Sequence, residues 1–220
     1  MVNDAGARAQ LLALGVRTVP VVAQGRQYVF AQNLEDVATF VGLAGSGNQL
    51  LPPERLIEQW LTVLGAARRT IGQMPEARMD ERVIGNRDRS IRSLGRHVFR
   101  IAEAFLDCVA GGEEFTAAHA AAENAEGTHL TGDEISAYGG RVMTRLEAWW
   151  DGLADRSCQR RVKTFFGEQA IHMLFERSIW HSAQHVRQLA AVLERFGIEP
   201  EYRLSAADLA GLPLPEGLWE

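Results

Sequence analysis

From about Gly167 to Phe196 the chain reads as one long helix-forming segment, and this segment constrains the rest of the fold. Gly197 and then Pro200 supply its stop signals. Leu174, His181, His185, Gln188 and Val192 share one stripe of this helix. A stripe of that kind is buried against other helices, so the segment needs helical partners. The same stripe carries His-x-x-x-His. Four residues turn through about 400°, which stacks His181 and His185 on one face with Cβ atoms roughly 5–6 Å apart. That spacing lets two imidazoles share one metal ion, although single histidines also occur on helix surfaces without any chemical role.

Three upstream segments supply the partners. Pro52-Pro53 opens a helix over about 53–73, on which Leu56, Trp60, Leu64, Ala67 and Ile71 recur at helical spacing. A second helix, about 89–110, carries Leu94, Val98, Ile101 and Phe105 and ends at Gly111-Gly112. Thr131-x-x-Glu134 is a capping box and opens a third, with Ile135, Tyr138, Val142, Leu146, Trp149 and Leu153 turned inward. The alanine-rich stretch Glu113 to Leu130 reads as a loop with a short helix, and the tail from Ser205 to Glu220 as one short helix. Four amphipathic helices with connections of varied length make a helix bundle over residues 53–200, with a tail, 201–220, packing on it.

Composition excludes several function classes. The net charge of −5 offers no basic footprint for nucleic acid. No apolar run is long enough to span a bilayer, and no secretory signal opens the sequence. The two cysteines, Cys108 and Cys158, are far apart and in no C-x-x-C, so a reducing cytoplasm is the expected setting.

Ahead of the helices lies a segment of different character. Asp4 to Leu14 favours helix and Gly15 suits its end. Val16 to Ala23 and Gln27 to Ala31 read as strands joined by a turn at Gln24-Gly25-Arg26, and Asn33 with Asp36 opens another helix. The order is α-β-β-α over residues 1–43, followed by a linker, 44–52, rich in glycine and serine. LGVRTVPVVAQGRQYVFAQNLEDVATFVGL resembles the C-terminal half of a glutaredoxin or thioredoxin-like domain. The resemblance implies a cis Val19-Pro20 bond. It also implies a thiol-peptide surface, for glutathione or a similar molecule, at Val19, Pro20, Asn33 and Leu34. The half of that domain carrying C-x-x-C is absent, so disulfide exchange is not expected. Two roles remain for the segment, a packing module or a retained thiol-recognition surface. A piece this small buries little core, so it should pack on the rest of the chain or on a second copy, which makes a homodimer the expected assembly.

A catalytic metal commonly has three protein ligands and an open position, so a third ligand must come from a facing helix. His97 is the candidate. It lies beside the apolar stripe of the second helix with Ser93, Ile101 and Ala104 on its face, and Gly95 would let a neighbouring helix approach. Histidines among inward-facing apolar residues need partners, since an unpaired buried polar group costs on the order of 1–3 kcal/mol. IRSLGRHVFRIAEAFLD and LFERSIWHSAQHVRQLAAVLERFGI together are similar to the DinB-like family of metal-dependent four-helix proteins. That family is marked by one histidine on the second helix and H-x-x-x-H-x-x-Q on the last. The resemblance implies that His97, His181 and His185 are the metal ligands and that Gln188 accompanies them. His172 falls outside the pattern, about 180° from His181. The fold class expected is mainly α, an up-down four-helix bundle of DinB-like type preceded by a small α-β-β-α half-thioredoxin segment.

Imidazole ligands suit zinc, nickel and iron(II) alike. Such an ion acidifies a bound water or thiol. Relatives implied by the resemblance are transferases and isomerases working with low-molecular-weight thiols, together with hydrolases. The expected function is therefore a metal-dependent enzyme acting on a small-molecule substrate, using glutathione or a similar thiol, or metal-activated water. The alternative is a non-catalytic metal- or thiol-binding sensor. A third reading is an interaction protein whose histidines are merely hydrogen-bonded. Arg96, Arg177 and Arg187 flank the histidines and read as solvated surface, with steering of an anion as the rarer role. Cys108 is about 16 Å along the helix from His97 and reads as a buried structural thiol.

Overall fold

The computed structural model describes residues 5–16, 20–31, 34–43, 50–82, 89–116 and 129–218. Among them, six α-helices and two antiparallel hairpins follow the order α1 (Ala5–Ala13), β1 (Val21–Gln24), β2 (Gln27–Phe30), α2 (Leu34–Phe40), α3 (Pro53–Gly72), α4 (Ile91–Val109), α5 (Gly132–Asp151), β3 (Arg161–Thr164), β4 (Gly167–Ala170) and α6 (Ile171–Arg195). The protein is mainly helical. Two units divide the chain, Met1–Gln49 and Leu50–Glu220.

In the first unit, α1 ends at Gly15, whose positive φ of 72° lets Val16 N–H donate back to Leu11 O at 2.9 Å. β1 and β2 pair from Val21↔Phe30 to Gln24↔Gln27 across a turn in which Gly25 has φ 63°. Ala31 N–H closes the open end onto Pro20 O at 2.9 Å. Val16 and Ala38 are buried, whereas Leu12, Tyr28, Val41 and Leu43 are exposed. The described part of the first strand begins at Val21 rather than Val16, and residues 17–19 lie outside the described residues.

In the second unit the long helices α3, α4, α5 and α6 pack around a common core, with α3 and α4 each lying against both α5 and α6. Their faces are those that the apolar spacing marks: Leu56, Trp60, Leu64, Ala67 and Ile71 of α3 and Leu94, Val98, Ile101 and Phe105 of α4 are all buried. Trp60, Phe105 and Phe175 form the aromatic centre, with ring centroids 5.1–5.5 Å apart, and Trp149 joins Phe105 at 5.1 Å. Phe105 of α4 lies on Phe175 of α6, while His97 of α4 lies beside His181 and His185 further along α6. The two helices therefore run antiparallel.

The capping box that opens α5 is present in full. Thr131 Oγ1 accepts from Glu134 N–H at 3.2 Å, and Glu134 accepts from Thr131 N–H at 2.8 Å. At the start of α4, Ser90 Oγ accepts from Ser93 N–H at 3.1 Å. Gly95 and Gly139 are where helices approach closely. A Cβ at Gly95 would stand 2.8 Å from Ile71 Cδ1, and one at Gly139 only 2.5 Å from the Phe99 ring.

Two expectations are corrected. The long helix begins at Ile171, not near Gly167, because residues 161–170 form the hairpin β3–β4, paired from Arg161↔Ala170 to Thr164↔Gly167. Phe115 docks on this hairpin, its N–H donating to Lys163 O and its O accepting from Phe165 N–H, each at 2.9 Å. The segment after Ser205 forms turns rather than a helix: Leu209 N–H reaches Ser205 O at 3.2 Å, Gly211 has φ 83°, and prolines follow. Residues 117–128, read as a loop with a short helix, lie outside the described residues. No helix among the described residues is long and apolar enough to cross a membrane.

Candidate metal centre

Three imidazoles meet where α4 passes α6. His97 and His185 are buried and His181 is half-buried, and one ligand-capable nitrogen from each lies within 4.8 Å of the other two. The ring centroids are 5.4 Å (His97–His181), 5.1 Å (His97–His185) and 4.9 Å (His181–His185) apart. The helical spacing of His181 and His185 brings their Nε2 atoms to 3.1 Å. Two nitrogens bound to one tetrahedral ion at about 2.0–2.1 Å would stand roughly 3.3 Å apart. This pair already has that separation, and His97 closes the third side from the facing helix.

Gln188 fixes how His185 presents its ring. Gln188 Nε2 donates to Leu218 O at 2.7 Å, which turns Gln188 Oε1 toward His185 Nδ1 at 2.8 Å. Reversing the amide would set two carbonyl oxygens against each other, so Nδ1 of His185 carries the proton and donates. Nε2 of His185 is then bare, the form a metal ligand needs, and in the 3.1 Å contact His181 Nε2–H is the donor. His181 is held neutral: burial lowers its pKa well below the ordinary value, with His185, His97, Arg177 and Arg89 adding in that order. Three imidazoles from two helices are a donor set that suits a divalent first-row ion, and these residues could hold one.

Around the cluster, Arg177 departs from the expectation of solvated surface. Arg177, one turn before His181, is half-buried, its pKa lowered to about 10 by burial, and its guanidinium lies 5.1 Å from the centre of the Phe166 ring. Arg89, just ahead of the α4 cap, acts on His181 electrostatically and has no periodic signal that would have marked it. Arg187 does not face the histidines; it donates to Gln184 Oε1 at 2.8 Å, Pro215 O at 2.9 Å and Glu216 O at 3.2 Å.

The remaining candidates lie elsewhere. His172 has its Nε2 2.6 Å from Leu51 O, away from the cluster. Glu176 is buried, accepts from Leu51 N–H at 3.3 Å, and has its carboxyl pKa raised chiefly by burial. Glu103 is engaged by Tyr138 Oη at 2.6 Å, Arg100 at 2.9 Å and Arg145 at 3.0 Å, and is no base for the site. Cys108 and Cys158 are buried free thiols with pKa values raised by burial, that of Cys158 to about 11, which makes both poor nucleophiles. Of the thiol-surface residues implied by the glutaredoxin resemblance, Pro20 is exposed and Leu34 begins α2, while Val19, Asn33 and the Val19-Pro20 bond lie outside the described residues.

Compared with family models, with curated proteins and with solved structures, the chain finds no match. The description that fold and site support directly is a mainly helical protein with a three-histidine cluster able to hold a metal ion.

Proposed function

We propose that this chain is a metal-dependent enzyme of the DinB-like four-helix type. In it His97, His181 and His185 would hold a divalent ion, and glutathione, a similar low-molecular-weight thiol or water would be activated against a small electrophile. The observation that carries the reading is the convergence of three imidazole nitrogens, from two helices, within 4.8 Å. Zinc, nickel and iron(II) each fit an all-imidazole donor set. When bound, such an ion lowers the pKa of a coordinated thiol or water and so supplies a nucleophile near neutral pH.

The chain's own residues supply the rest. Gln188 keeps a lone pair of His185 Nε2 available. Burial keeps His181 unprotonated. The positive charges of Arg177 and Arg89 act on His181 electrostatically, which favours a thiolate, a hydroxide or an anionic substrate over neutral alternatives. Thiol use is favoured by the glutaredoxin-like character of the first unit, whose exposed Leu12, Tyr28, Val41 and Leu43 also suit pairing with a second copy. A reducing cytoplasm fits two buried cysteines that are not paired.

Elemental analysis of untagged protein, with a glutathione titration and assays of thiol addition to small electrophiles, tests the proposal. Stoichiometric first-row metal and metal-dependent turnover are expected. The proposal fails if no metal co-purifies or can be restored and His181→Ala changes neither metal content nor thiol affinity.

A further inference from the structure

Gln188 can orient His185 only if something orients Gln188, and that is the backbone of residues 215–218. Three side chains on consecutive positions of the same α6 face reach this short segment and bind only its carbonyls. Arg187 donates to Pro215 O at 2.9 Å and Glu216 O at 3.2 Å. Gln184 donates to Gly217 O at 3.1 Å and Leu218 O at 3.0 Å, and its own Oε1 accepts from Arg187 at 2.8 Å. Gln188 then donates to the same Leu218 O at 2.7 Å. The contact nearest the metal ligands thus depends on an acceptor that Gln184 and Arg187 keep in place. Neither residue is joined by these bonds to a histidine.

We propose that the segment Pro215–Leu218 is a positioning element of the metal centre: clamped by Gln184 and Arg187, it presents Leu218 O to Gln188, which in turn fixes the His185 tautomer and leaves Nε2 as the ligand. The proposal rests on the three-histidine reading for its consequence in metal binding, but its first link is a property of the metal-free protein. Because the acceptors are backbone carbonyls, the segment works through its path rather than its side chains, and its sequence carries no ligand-like signal.

The test uses the full chain with Gln184→Ala and Arg187→Ala combined, beside Gln188→Ala, and two readouts. Nitrogen NMR of the metal-free protein reports which ring nitrogen of His185 is protonated. The parent should show Nδ1 protonated and Nε2 bare, and both variants a mixture. Cobalt(II) affinity, measured by competition with a chelator, should fall by roughly 10–100-fold in Gln188→Ala and by about tenfold in the double variant, the range typical for loss of a partner behind a ligand. Combining all three substitutions should cost little beyond Gln188→Ala, since they act along one chain of contacts. An unchanged His185 tautomer in the double variant overturns the proposal, as does unchanged affinity or full additivity in a protein that binds cobalt. If the parent takes up no cobalt, the proposed function fails, and the tautomer measurement alone decides the positioning role. Should the double variant lose helical signal, Arg187→Ala alone is read in its place, with a smaller shift in the same direction expected.

Discussion

His181 and His185 sit one helical turn apart, and a turn is the distance at which two imidazoles on a helix meet. His97 is different in kind, because nothing local ties residue 97 to residue 181. It is brought within reach by the antiparallel packing of α4 on α6. If all three serve one ion, losing any of them should be felt alike. His97→Ala and His181→Ala are each expected to weaken zinc or cobalt binding by more than about 100-fold, beyond the range seen for outer partners, as measured by chelator competition. A second residue carries a prediction about pH. The buried carboxyl of Glu176 has its pKa raised above the usual 4.5, chiefly by burial. A raised carboxyl pKa favours folding when the group is protonated, and that contribution is lost as pH rises through the folded value. Glu176→Gln should therefore raise the melting temperature at pH 7.5 and lose its advantage as pH falls below 4.5.

Among the elements, helix stripes and caps were legible because they are written in neighbouring residues. The Thr131–Glu134 box and the buried stripes of α3 and α4 lie where spacing places them. The hairpin β3–β4 was not. Its turn is Phe165-Phe166, without the Asn-Gly or Asp-Gly signal of tight hairpins, and the residues that follow favour helix. Phe115 docks on it, a contact made only in the fold. Close helix contacts yield a paired prediction. Alanine gains up to about 1 kcal/mol over glycine in a helix interior. At Gly139 a Cβ would meet the stiff Phe99 ring at 2.5 Å, so Gly139→Ala should destabilise by about 1–2 kcal/mol net in urea denaturation. At Gly95 the nearest atom, 2.8 Å away, is the rotatable Cδ1 of Ile71, so Gly95→Ala should be close to neutral.

At the scale of the whole molecule, all three histidines and the segment that positions Gln188 belong to the unit Leu50–Glu220. Residues 50–220 expressed alone should keep the metal affinity of the full chain. If the first unit recognises thiols, the fragment should lose glutathione affinity while keeping metal, which a parallel titration of the two proteins reads directly. Metal should also stabilise the full chain. At a hundredfold excess over Kd the gain is about 2.7 kcal/mol, or about 5–10 °C in melting temperature for a domain of this size, and His181→Ala should abolish the shift.

By itself the sequence determined that this chain builds long amphipathic helices, where most of them start and stop, and that one of them carries an imidazole pair. Those properties depend on residues within a turn or two of each other. Only the tertiary structure decided that His97 joins the pair, that Arg89 bears on His181, and that residues 215–218 lie behind Gln188. These come from contacts between residues far apart in the chain. The carbonyl contacts among them are made by groups that every residue has, so no pattern of side chains announces them.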